Sequence, residues 1–131
     1  MTLTRLCPEG VADSSPFGYI PSIRCDGPNR LWMISGQIGT SPEGPNDFES
    51  QMHRAFDRLE AVLASEGLAP SDVVRITLLV VDHDTDKLGL ICAKRKSFFG
   101  SSLPTSTLIP VPCLALPDMV FEVDAIAVKE A

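Results

Sequence analysis

At 131 residues the chain has room for one domain (1–131), since a single core serves about 100–200 residues. A hydrophobic content of 44% excludes a disordered chain, and a net charge of −6 with no Lys/Arg cluster argues against nucleic acid as a partner. No apolar run approaches the roughly 20 residues of a membrane span, so no membrane partner is expected either.

Residues 1–6 lack a long apolar stretch, so no signal peptide is expected. Residues 1–28 are rich in Pro, Ser and Gly, with one short strand predicted over 19–24. Leu31-Trp32-Met33-Ile34-Ser35 is a compact apolar run closed by Gly36, which reads as a strand entering a turn. A loop follows at 41–45. Phe48, Met52, Ala55, Phe56, Leu59, Val62 and Leu63 share one helical face. Asn46 is the expected cap, with Glu49 as its reciprocal partner, and Gly67 the expected terminator. Val73 to Val81 is a β-branched run and reads as a buried strand. A second helix is predicted over 84–99, its apolar stripe running through Leu88, Ile91 or Cys92, the stem of Arg95, Phe98 and Phe99. Residues 106–111 form a strand, and Pro110 and Pro112, lacking N–H groups, require it to lie at a sheet edge or stop there. The last strand, 119–128, alternates cleanly.

The order β-β-α-β-α-β-β predicts an α+β sandwich with two helices on one sheet face. Val120, Ile126, Val128, Leu79 and Val81 would then stay on the uncovered face. That much apolar surface calls for self-association with closed symmetry. Cys7, Cys25, Cys92 and Cys113 have no C-x-x-C spacing, and only His53 and His83 accompany them. No metal site is therefore expected, and the four thiols read as reduced and cytoplasmic.

Several short motifs in order resemble a known family. They are Ser35-Gly36-Gln37, Gln51 at the start of the first helix, Asp72-Val73-Val74-Arg75, Phe98-Phe99, Pro104-Thr105-Ser106-Thr107, and Phe121-Glu122-Val123-Asp124-Ala125. Together they resemble the Rid (YjgF-like) reactive intermediate deaminases over residues 15–128. The resemblance implies a chorismate-mutase-like fold: one mixed β-sheet, two helices on one face, and a homotrimer around a central barrel with three intersubunit clefts. It also implies hydrolysis of a small-molecule enamine or imine to a 2-oxo acid and ammonia, a metabolite-repair activity, with no cofactor.

Glu122 matches the family's last-strand glutamate and is the expected catalytic residue. A carboxylate in a partly desolvated cleft can activate water and protonate the departing amine. Gly36 is either a turn glycine or a backbone amide for a substrate oxyanion. Phe17 stands where the deaminases have tyrosine, with Tyr19 as a possible replacement, or both simply pack. Ser106 occupies the place of the arginine in the family's P-x-R-[ST] motif, with Thr107 beside it. A hydroxyl does not reproduce a guanidinium fork. Cys92 replaces the asparagine of the second helix and reads as a cleft thiol or a small packed hydrophobe. The expected substrate is therefore less acidic than a 2-imino acid, unless Arg95 or Arg75 supplies the charge from elsewhere. The alternatives are a non-catalytic small-molecule-binding trimer and a ribonuclease, and the acidic charge opposes the second.

Overall fold

The computed structural model describes residues 1–131. Strand β1 (Thr2–Leu6) pairs antiparallel with β2 (Ser22–Asp26) in a small two-stranded sheet. Strands β3 (Asn29–Ile38), β4 (Val73–Val81), β5 (Thr105–Val111) and β6 (Phe121–Glu130) form a second sheet in the order β3-β6-β4-β5. Helix α1 (Phe48–Ser65) links β3 to β4, and α2 (Thr85–Phe99) links β4 to β5. The β4–β5 pair is parallel and the others are antiparallel. A parallel pair needs a crossover of about a dozen residues, which α2 supplies.

Some expectations need correction. There are two sheets rather than one, because β1, absent from the prediction, pairs only with β2. Thr2 to Leu6 carries neither a long apolar run nor a strict alternation, so only its pairing with β2 defines it. The strand expected over 19–24 lies at Ser22–Asp26, and Tyr19 sits outside it, just after a short 3-10 turn at Ser15–Phe17. Asn46 is not the cap of α1. Its side chain holds the preceding loop, accepting from the Ser41 amide at 2.8 Å and donating to the Ser41 carbonyl at 2.7 Å. Asp47 is the cap and accepts from the Ser50 amide. Hydrogen bonding from Ser50 holds the Asp47 carboxyl below the usual carboxylate range. Gly67, at φ 70°, ends α1 as expected, with the Leu68 amide reaching back to the Leu63 carbonyl at 2.9 Å.

Both helices pack on one face of the four-stranded sheet. Met52, Ala55, Phe56, Leu59 and Leu63 of α1 meet Ile76, Leu78, Val80, Phe121, Val123 and Ala125 of the strands, all buried. Phe56 is the aromatic centre, with ring centroids 5.0 Å from Phe98 and 5.9 Å from Phe121. The opposite face has no helix. Met33 is 77% exposed there, and Leu31 and Ile109 are also exposed.

Candidate functional site

The first half of the site is built on a break in sheet register. Ile34 pairs with Ala125 and Gln37 with Val123, so Ser35 and Gly36 together oppose Asp124. This is a β-bulge, a device that redirects side chains and recurs near functional sites. Asp124 accepts a hydrogen bond from the Thr77 amide at 3.0 Å, which uses its carboxylate structurally. Glu122, one step along the same face, makes no hydrogen bond or ion pair within the chain. Its carboxyl group lies over Gly36: a Cβ there would stand 2.5 Å from Glu122 Cδ and 2.7 Å from Oε1. Gly36 therefore leaves the volume that the carboxylate uses, and the two predicted residues meet.

Beside the bulge is a depression of about 270 Å³ lined by Met33, Ser35, Arg75, Thr77, Asp124 and Ile126. Arg75 Nη2 donates to Thr107 Oγ1 at 2.8 Å. Thr107 thus faces the helix-free side, away from its neighbour Ser106.

The second half lies on the helix side of edge strand β5. Ser106 pairs with the buried Ile76 and points toward α2. Arg95 of α2 donates from Nη1 to Ser106 Oγ at 3.1 Å, from Nε to the Phe17 carbonyl at 3.1 Å, and from Nη2 to Cys92 Sγ at 3.5 Å. The Tyr19 ring lies 4.8 Å from the guanidinium carbon, a cation–π arrangement. Phe17, Tyr19, Cys92 and Ser106 are therefore all gathered around Arg95. The stem-only burial expected for Arg95 is wrong, because the whole residue is 3% exposed. Gly18, at φ 88°, makes this contact possible, since a Cβ there would lie 2.7 Å from Arg95 Cβ.

Gln51 ties α1 to the loop before Glu122. It is fully buried. Its Nε2 donates to the carbonyls of Asn46 (2.9 Å) and Asp118 (2.8 Å), and its Oε1 accepts from the Val120 amide (3.0 Å). These bonds fix the entry to β6 two residues before Glu122. The sequence marked Gln51 only as a motif position, and a lone glutamine among the apolar positions of a helix was the available signal.

Within one chain, Glu122 and Ser106 lie on opposite faces of the sheet, separated by β4. A cleft that used both would need two protomers.

Comparison with known proteins places the fold and the sequence in a family. The family model Endoribonuclease L-PSP matches residues 15–129. The RutC family protein YjgH of Escherichia coli is 32% identical over 99 residues, covering 74% of each chain. The 2-iminobutanoate/2-iminopropanoate deaminase of the same organism is 26% identical over 123 residues, 89% of this chain and 94% of that one. Among solved structures, a Rid-family protein of unknown function from Yersinia pestis superposes with a TM-score of 0.88 at 32% identity, covering 97% of this chain and 98% of that one. The family model matched over most of the chain, the 32% identical relative covered to 74%, and the TM-score of 0.88 lead to one conclusion: the chain belongs to the Rid/YjgF-like family described by the Endoribonuclease L-PSP model.

Proposed function

We propose that the protein is a Rid-type hydrolase that converts a small enamine or imine to a carbonyl compound and ammonia in a cleft between protomers of a homotrimer. The observation that carries this reading is the Glu122 carboxylate, half-buried, without a protein partner and seated over Gly36 in the bulge. An enamine first takes a proton at carbon and becomes the iminium. Glu122 takes a proton from water as the water oxygen adds to the iminium carbon, giving the carbinolamine, and returns that proton to the nitrogen. The C–N bond then breaks as the hydroxyl gives its proton back to Glu122, so ammonia departs and the carbon keeps the oxygen as a carbonyl. The group at work is the Glu122 carboxylate, and neither metal nor cofactor is required by these steps. The exposed free thiols of Cys7 and Cys113 suit a reducing compartment such as the cytoplasm. The name of the Escherichia coli relative, an iminobutanoate/iminopropanoate deaminase, supports the reaction class.

The test is release of ammonia and carbonyl product in equal amounts from imines generated in situ, at a rate well above spontaneous hydrolysis. No acceleration for any imine or enamine, together with saturable ligand binding, would leave a non-catalytic binding trimer as the better reading. The assembly has its own check. Met33, Leu31 and Ile109 leave the helix-free face apolar and uncovered. Light scattering should give three protomer masses, and Met33→Asp should shift the population toward monomer. A stable monomer in the wild type would remove the intersubunit cleft.

A further inference from the structure

Arg95 is the one charged residue that the chain buries deeply, and no carboxylate lies within 4.0 Å of it. Its three acceptors, the Phe17 carbonyl, Ser106 Oγ and Cys92 Sγ, are all neutral. A guanidinium has five N–H donors, so two remain unengaged. Burying a charge without a counterion is costly, and an anion that docks there relieves that cost. The planar fork suits a carboxylate. Phe17, whose carbonyl Arg95 grips, is 54% exposed and adds apolar surface to this segment.

We infer that Arg95, on the second helix, is the substrate-anion residue of this protein, in place of an arginine on the edge strand, which keeps the substrate within the carboxylate-bearing imines and enamines that the family resemblance implies. The inference rests on the proposed hydrolase reading for the word substrate, but the anion site itself does not. It reverses the expectation of a less acidic substrate that Ser106 alone suggests. The positive charge has moved from the edge strand to the second helix, and the serine hydroxyl now orients it.

Calorimetric titration with 2-oxobutanoate and with its neutral amide tests this without turnover. Wild type should prefer the acid by about 30- to 1000-fold, the loss expected on removing a charge-assisted pair. Arg95→Gln should bind the two alike. The double variant Arg95→Gln/Ser106→Arg, which returns the charge to β5, should recover at least about tenfold preference. Recovery separates anion binding from a purely structural tie between α2, β5 and the Ser15–Phe17 turn. Wild type that binds neither compound, or both alike, overturns the inference, as does Arg95→Gln with its preference intact. If Arg95→Gln does not fold, Arg95→Lys decides: the charge persists without the fork, so the preference should shrink but survive, and an unchanged preference overturns the inference. A protein that shows the acid preference but releases no ammonia from any imine would sink the hydrolase reading alone.

Discussion

Gly39→Ala should abolish folding or lower the melting temperature by more than about 10 °C. Gly39 follows β3 where the strand end crosses α1. A Cβ built there stands 2.5 Å from the carbonyl carbon and 2.8 Å from the Cα of Gln51, and closer still to the carbonyl oxygen. The obstacle is helix backbone, which has no rotamer to change. Ordinary overpacking costs about 1–3 kcal/mol, and a clash with backbone exceeds that range. A loss above about 4 kcal/mol is a large part of the 5–15 kcal/mol that holds a domain together. Arg54 adds to the cost, since its Nε donates to the Gly39 carbonyl at 2.6 Å. Gly89→Ala is the control. Gly89 lies inside α2 with nothing within 4 Å of a new Cβ, so the same added methyl should stabilise by about 0.5–1 kcal/mol. Thermal denaturation of the two variants compares a crossing point with open helix surface. A Gly39→Ala melting temperature within about 2 °C of wild type would show that α1 can withdraw from β3 at little cost. The consequence reaches the site, because Gln51, the residue struck, holds the Asp118 to Val120 backbone that leads to Glu122.

The parts of the fold that were legible in the sequence depended on periodicity or on a backbone restriction. Phe48 to Leu63 repeats at the helical spacing and forms α1. Pro110 has no N–H, and β5 does lie at the sheet edge. Gly67 ended its helix as read. What was hidden depended on contacts between distant segments. The capping residue shifted from Asn46 to Asp47 because both residues suit a cap, and only the position of Ser41 assigns Asn46 to the loop. The burial of Arg95 required residues 15–19 to fold over α2, which turns on the positive φ of Gly18, some 77 positions away in sequence. The bulge at Ser35–Gly36 was missed because Gly36 read as the turn that closes the strand, whereas β3 continues to Ile38 and the glycine sits inside it. A glycine within a strand run is a signal for a bulge, but only the pairing with β6 shows that the strand goes on. Glu122 and Gly36, singled out separately in the sequence, meet only through that bulge. The distribution of the site residues over two sheet faces needed the coordinates.

That distribution shapes the expected behaviour of Glu122. Its carboxylate has no partner in the chain, so removing it should leave stability within about ±0.5 kcal/mol of wild type. Its effect on turnover should be large. General acid–base catalysis contributes about 10²–10⁴-fold, so Glu122→Gln should lower kcat by that factor while melting and mass stay unchanged. Glutamine keeps the shape that fits over Gly36, so lost packing does not account for the loss. Glu122→Ala, which also empties that space, should be no more active. Gly36→Ala attacks the same geometry from the other strand. Its Cβ would meet the end of a flexible side chain, so Glu122 can swing aside and the fold survives, but the carboxylate leaves its position. A fall in kcat with little change in melting is the expected result there too. KM separates the two halves of the proposed cleft: the Glu122 and Gly36 variants should act mainly on kcat, whereas Arg95 variants should act mainly on KM for acidic substrates. A Glu122→Gln protein with kcat within threefold of wild type would remove Glu122 from the chemistry and leave the cleft as a binding site.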